Sequence, residues 1–460
     1  MCSRRKYIMM KFINEKFLPK VMKLADNKYL QAVSNGFMFI MPVIIVGSIF
    51  TLLNNFSVGG YQEFITGLGL KPYLAIPNLV TNDLLSVYAV FFIAYFYAKN
   101  EDTDPGVAGM VALFSFLAVI PFGNTAATIT DFIASQGITL AEGVVVPGAN
   151  FLPLEWLGAK GLFVAIFVAL VSSGIYSYLV KNDITIKMPD SVPPAISKSF
   201  GGLFPGFVSI IFFIILNQLV ALIPIEGING LQSGIYTLIQ SPLESVVGNN
   251  IWSFLLVAFV VQLLWSLGIH GMSAVVLPIF YPIWTSLGNA NIDLLNAGVS
   301  AYELPNILNR SFWQVYVILG GSGMTLGLCI LMAFRAKSKQ YKTLGRLSVG
   351  ANLCGINEPV IFGTPIVLNP IMLVPFIVAP LVAASLAYFL TLVGILPRVS
   401  FVIPLGTPVI MSGLISTPQG GWKVALFQVF LIFLSGVMYY PFFRILDRKA
   451  VSEEHGELNN

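Results

Sequence analysis

Apolar runs long enough to cross a bilayer alternate with short polar segments along almost the whole chain. They cover residues 31–53, 77–98, 105–122, 161–180, 198–223, 251–269, 311–334, 366–396 and 422–443. A helix needs about 20 such residues to span the roughly 30 Å hydrocarbon core. Most runs meet that length, and 311–334 reads as an uninterrupted span. Run 366–396 is over-long and is expected to tilt or to continue beyond the core. The apolar stretch 273–287 is short and is interrupted by Pro278 and Pro282, with a polar loop expected over 289–310.

Two further stretches are apolar yet broken. Residues 344–365 read LGRLSVGANLCGINEPVIFGTP, with Gly345, Gly350 and Gly355 before Asn357-Glu358-Pro359. Proline has no donor and disfavours helix in the residue before it, so the backbone is expected to break at the carboxylate. Residues 398–421 carry Pro404, Gly406, Pro408, Gly413, Pro418 and Gly420. Irregular backbone at membrane depth is tolerated only inside protein or against a water-filled cavity. An ionisable group there costs about 2.5–3.5 kcal/mol on insertion scales. The pattern therefore predicts a cavity built around Glu358; the competing reading is a loop turn just outside the bilayer.

Other segments are amphipathic. Residues 11–28 place Ile13, Phe17, Val21 and Leu24 on one helical face among lysines, which suits a helix on an anionic leaflet or a solvated lead into the first span. Residues 224–250 set Ile228, Leu231, Ile235 and Leu238 against Asn229, Gln232 and Ser233, as in an interfacial linker. The Gly- and Thr-rich stretch 123–150 holds Asp131 and Glu142 and reads as a re-entrant or surface hairpin. The organisation expected is an amphipathic N-terminus (1–30), a first membrane half (31–223), the linker (224–250), a second half (251–443) and a polar tail (444–460).

Composition agrees. The 460 residues are 56% apolar and 10% charged, against roughly 25% charged in a soluble domain. The basic N-terminus lacks a short apolar core with a small-residue cleavage site, so no secretory signal is read there, and Met9 and Met10 are alternative starts. Cys2, Cys329 and Cys354 form no spaced set, so neither a disulfide framework nor a metal site is expected. The net charge of +4 is one-sided. The N-terminus, Lys99, 181–198, 335–346 and the C-terminus fall on one side if 273–287 crosses and both broken stretches return. That leaves Lys71, Lys160, Arg310, Arg398 and Lys423 on the other side. The fold class expected is an all-α polytopic membrane protein of about ten transmembrane helices plus two re-entrant hairpins, with both termini cytoplasmic.

Polar groups gather at the ends and breaks of apolar segments: Gly158-Ala-Lys160-Gly161, Trp265-x4-His270-Gly271, Asn357-Glu358-Pro359 and the 404–422 stretch. Carboxylate and amide groups bind hydroxyls, and aromatic faces cover the C–H face of a sugar ring. Paired broken segments point to a transport site near the midplane. These motifs, with the opening Met10-Lys-Phe-Ile-Asn-Glu-Lys, resemble the lactose/cellobiose/diacetylchitobiose branch of the phosphotransferase-system enzyme IIC permeases, over nearly the whole chain. The resemblance implies a bacterial cell-membrane homodimer whose first half makes the dimer contact and whose second half holds the sugar between two hairpins. It implies a cytoplasmic enzyme IIB, supplied by IIA, whose phosphocysteine phosphorylates the sugar 6-hydroxyl during translocation. No cofactor or metal is implied in this chain, and no nucleic acid.

Carried over, Glu358 binds the reacting hydroxyl and accepts its proton, while His270 and Asn357 bind hydroxyls. Gly158, Lys160 and Gly161 approach the sugar from the first half, and Trp265 or Trp422 covers a ring. Plainer readings stand beside these: a packed or interfacial His270, a snorkelling Lys160, and membrane-interface anchors at Trp265 and Trp422. Cys354 is read as a small apolar residue rather than a nucleophile, since the phosphocysteine belongs to IIB, and His455 as idle in the tail. The reading is a IIC permease for a β-linked disaccharide of the cellobiose or diacetylchitobiose type. Its first rival is a proton-coupled sugar transporter using Glu358 and His270 as a relay. A transferase acting on lipid-linked sugar would need a paired acidic metal motif, which the sequence lacks. Without a Walker motif, an ATP-driven pump is not supported.

Overall fold

The computed structural model describes residues 27–55, 59–135, 146, 148–189, 191–248, 250–364, 366–367, 369–404 and 406–455. The amphipathic segment expected over 11–28 lies almost wholly outside the described residues, as do the centre of 123–150 and the end of the tail. The regular structure of the described chain is helical apart from one pair of two-residue strands. Among the described residues five helices are long and apolar enough to cross a membrane, or up to eight if each bent pair counts as one span. The protein is a multi-pass membrane protein.

The helices group into two compact units: residues up to Ser34, Met41–Thr81 and Leu243 onward in one, Asn35–Ile40 and Asn82–Pro242 in the other. The change at Pro242 falls inside the stretch read as a linker. In chain order the main helices are α1 (Lys28–Phe39), α2 (Met41–Asn55), α3 (Lys71–Thr81), α4 (Leu85–Asn100), α5 (Pro105–Ala118), α6 (Leu162–Lys181) and α7 (Leu203–Ala221). They continue as α8 (Ile251–Ser266), α9 (Tyr281–Asn296), α10 (Leu326–Arg335), α11 (Lys339–Leu353), α12 (Glu358–Gly363), α13 (Pro370–Leu392), α14 (Met411–Ile415) and α15 (Gly421–Glu454).

In the unit holding 82–242, α4, α5, α6 and α7 pack together. Asp104 starts α5 by accepting from Gly106 N and Val107 N, each at 3.1 Å, with Pro105 inside the first turn where its missing donor is harmless. Helix α7 shows why such a chain needs lipid. Phe207, Ile211, Ile215 and Leu219 form an exposed apolar stripe, while Gly206, Ser209 and Phe213 face inward. Ser209 meets Ser115 at 3.0 Å. The ends of the 123–150 stretch do come together, with Gly123 opposite Phe151 and Asn124 opposite Asn150 in antiparallel register, as a hairpin requires.

The other unit corrects several expectations. The stretch 311–334 is not an uninterrupted span: its two parts bend by 50°. The turn between them holds Gly320, Gly321, Gly323 and Met324 at positive φ. A high mean hydropathy had hidden Gly-Gly-Ser-Gly, the residues that favour such backbone. The short crossing at 273–287 is instead a continuous helical stretch. A wide-turn π segment, Met272–Phe280, runs into α9, so helix occupies the first part of the expected polar loop. Arg310, expected at the end of the polar loop, is buried with its guanidinium 4.6 Å from the Tyr281 ring centroid.

The break beside Glu358 also falls earlier than expected. Helix α11 ends at Leu353, Gly355 sits at φ 81°, and Glu358 is already the first residue of α12. Pro359 stands in the first turn of that helix, where no donor is needed, so it starts a helix rather than ending one.

Helices α10 and α15 run parallel and touch through two glycines. A Cβ on Gly327 would lie 2.4 Å from Gly436 N, whereas one on Gly436 would stay 3.6 Å from its nearest neighbour. Gly327→Ala is therefore expected to destabilise the protein by about 1–3 kcal/mol through overpacking, with Gly436→Ala close to neutral. Thermal unfolding in detergent, followed by size-exclusion of the heated sample, measures the asymmetry.

Candidate functional site

The irregular segments are held by side-chain amides. Asn357 is buried, and its Nδ2 donates to Ser322 O at 2.7 Å and Thr325 Oγ1 at 2.8 Å. Thr325 Oγ1 in turn donates to Asn352 Oδ1 at 3.1 Å. The break before Glu358 is thus tied to the glycine turn that interrupts the preceding span. Gly321 presses on Asn357: a Cβ there would lie 2.3 Å from Asn357 Cγ.

The second broken stretch is tied to the first. Val409 N donates to Leu353 O at 2.8 Å, joining 398–421 to the end of α11. Gln428, fully buried on α15, accepts from Ile410 N and Gly413 N. Its Nε2 donates to Val315 O at 2.9 Å and Ser412 Oγ at 3.0 Å. Ile410 is held at φ 77°, unusual for a β-branched residue. Asn309, Ser311 and Gln314 bind the carbonyls of Val399, Ser400, Phe401 and Ile403. The sequence offered weak signals for these holders: polar residues, Gln428 above all, inside otherwise apolar helices.

Helix α8 ends in a turn that presents His270. Gly268 takes φ 82°, and Ile269 N closes the turn onto Leu264 O at 2.9 Å. Gly271 packs against the α8 backbone, where a Cβ would lie 2.5 Å from Val261 O. The His270 ring rests 4.5 Å from the ring of Trp265, which is buried with an unpaired Nε1. Ser273 N donates to His270 Nδ1 at 3.2 Å, and Ser273 Oγ lies 3.0 Å away. A backbone N–H only donates, so Nδ1 is the accepting nitrogen. The neutral ring then carries its proton on Nε2, as a donor to a ligand.

Glu358 is exposed at the start of α12. The Val367 side chain lies 3.5 Å from where a Cβ on Gly268 would sit, so the segment after α12 packs beside the His270 turn. The structure thus brings Trp265 and His270 together on one turn, packs the segment after Glu358 beside that turn, and ties the Glu358 segment down through Asn357. An acceptor carboxylate beside a donor imidazole suits a hydroxyl ligand. Among the described residues no group of His, Cys, Asp and Glu is arranged to hold a metal ion.

The remaining expected residues have other surroundings. Trp422 is exposed at the start of α15, with Lys423 Nζ 5.9 Å from its ring. Lys160 pairs with Glu155 and lies 4.6 Å from each of the Trp156 and Tyr236 rings. Gly158 O accepts from Ser86 Oγ at 2.5 Å, and Gly161 packs so closely on Trp156 O that a Cβ would fall 2.0 Å from it. These three lie in the unit holding 82–242.

Comparison with known proteins identifies the family. The family model "Phosphotransferase system, EIIC" matches residues 34–380. The chain is 35% identical to the cellobiose-specific EIIC component of Geobacillus stearothermophilus, covering 97% of this chain and 96% of that protein. It is 37% identical to the lichenan permease IIC component of Bacillus subtilis (strain 168), covering 96% and 94%. It superposes with a TM-score of 0.86 and 32% identity on the crystal structure of ChbC, the IIC component of the N,N'-diacetylchitobiose-specific phosphotransferase system, covering 97% of this chain and 99% of that one. With the family model and these relatives spanning the chain from the first helix through the Glu358 site, the protein belongs to the phosphotransferase-system EIIC permease family of the bacterial cytoplasmic membrane.

Proposed function

We propose that the chain binds a β-linked disaccharide of the cellobiose or diacetylchitobiose type and carries it across the membrane for phosphorylation by a phosphorylated enzyme IIB. The observation that carries this reading is that the segment following the accessible Glu358 packs beside the His270 turn, which is braced by Trp265. The named sugars of the similar permeases support the substrate class.

In this mechanism Glu358 accepts a hydrogen bond from the sugar 6-hydroxyl, and His270 Nε2–H donates to the sugar. As the hydroxyl oxygen attacks phosphorus, the O–P bond forms and the S–P bond of the IIB phosphocysteine breaks. The thiolate leaves and the hydroxyl proton passes to the Glu358 carboxylate. A positioned general base contributes about 10²–10⁴-fold. The amide nitrogen of Asn357 is engaged with Ser322 and Thr325, so its carbonyl oxygen is the group offered to a second hydroxyl. Trp265 gives the ring face, and Gly158, Lys160, Gly161 and Trp422 are secondary candidates for sugar contact. The reading includes about ten crossings with both termini cytoplasmic, and a homodimer formed through the first half.

The same pair also suits a proton relay. Uptake by cells lacking the soluble phosphotransferase proteins, abolished by an uncoupler, would favour that rival.

Binding to the purified protein tests the site, with cellobiose, diacetylchitobiose, lactose and maltose as the panel. The β-disaccharides are expected to bind, and Glu358→Gln to lose both binding and IIB-dependent phosphorylation, the latter by about 10²–10⁴-fold. A Glu358→Gln protein that takes up and phosphorylates a β-glucoside at full rate would refute the assignment.

Gly321→Ala probes the support of the site. The substitution places a Cβ in left-handed backbone and against Asn357, at an expected cost of about 1–3 kcal/mol, with loss of sugar binding. Gly350→Ala, where nothing lies within 4 Å, is the silent control. Melting temperature and sugar affinity, measured on both variants, separate the two.

A further inference from the structure

The glycine contact between α10 and α15 leaves a furrow on an apolar face. Because Gly327 and Gly436 carry no side chains, the helices meet backbone to backbone, and a groove of about 310 Å³ opens beside the contact. Ile330 lines it on α10, and Phe433 and Val437 on α15, the latter two strongly exposed. From Gly327 to Arg335 the groove follows about 12 Å of helix. That is close to the depth of one leaflet of a roughly 30 Å hydrocarbon core.

One end of the groove is cationic. Arg335 and Tyr440 line it there, and the Arg444 guanidinium lies 5.7 Å from the Tyr440 ring centroid. Among the described residues no carboxylate pairs with Arg335 or Arg444. The acids nearby are engaged elsewhere. Asp447 accepts from Lys337 N, Ser338 N and Ser338 Oγ. Glu454 accepts from Lys339 N and Gln340 N, and Glu453 pairs with Lys449. The helices run parallel, so both arginines sit at the same, lysine-rich end, the one that charge asymmetry assigns to the cytoplasmic leaflet.

We propose that this furrow is a binding site for an anionic phospholipid, with an acyl chain along Gly327 and Gly436 and the phosphodiester between Arg335 and Arg444. An apolar channel of one-leaflet depth, ending on two arginines without carboxylate partners, matches an amphiphile with one anionic head. A zwitterionic lipid fills the same furrow but gains less at the arginines.

Native mass spectrometry of the purified full chain tests this, with phosphatidylglycerol or phosphatidylcholine added to the detergent. Wild type is expected to retain phosphatidylglycerol in preference by roughly 25-fold, about fivefold for each arginine. The R335Q/R444Q double variant is expected to lose that preference. Val437→Trp fills the furrow from an exposed position and is expected to reduce retention of both lipids. Equal retention of the two lipids by wild type, or an unchanged preference in the double variant, overturns the proposal. So does a Val437→Trp protein that changes oligomer mass while keeping its lipid, which would assign the furrow to contact between copies.

Discussion

The constraint on which the unit holding Leu243 onward depends is the satisfaction of backbone groups in irregular chain among apolar helices. Water is absent from the hydrocarbon core, and each unpaired N–H or C=O there costs several kcal/mol. The protein meets this with a few amides. Asn357 binds the turn at 320–325, Gln428 joins the 398–421 stretch at Ile410 and Gly413 to Val315, and Asn309 secures the chain at Val399. A side-chain amide both donates and accepts, so one residue can close two gaps at once.

Those bonds also place the chemistry. Because Asn357 is fixed to the glycine turn, Glu358 begins a short helix rather than floating in a loop, and its carboxylate stays accessible. His270 is fixed by a different device, a helix-ending turn with Gly268 and Gly271 that seats the ring on Trp265 and sets its tautomer through Ser273. Glu358 and His270 thus have independent supports. The close approaches at Gly321 and Gly271 carry the same logic, since each lets a neighbouring segment come nearer than any side chain would permit.

Much of this was legible in the chain. Glu358 announced itself as a carboxylate in an apolar run followed by proline, and His270 as one of only two histidines, at the end of a span. Spanning segments were readable because hydropathy integrates over a whole helix. The errors came where a single conformational preference competes with that average. Pro359 was read as a helix breaker when it stands at the helix start, and Gly-Gly-Ser-Gly vanished inside a hydrophobic window.

By itself the sequence determined that the chain lives in a bilayer, since that follows from transfer free energy, and it singled out Glu358 and His270 as candidate site residues by their chemistry. Only the tertiary structure decided where the backbone breaks, that Asn357 and Gln428 are spent holding it, and that Trp265 braces the His270 ring. Such pairings join residues far apart in the chain, and no local pattern encodes which buried donor will meet which orphaned carbonyl.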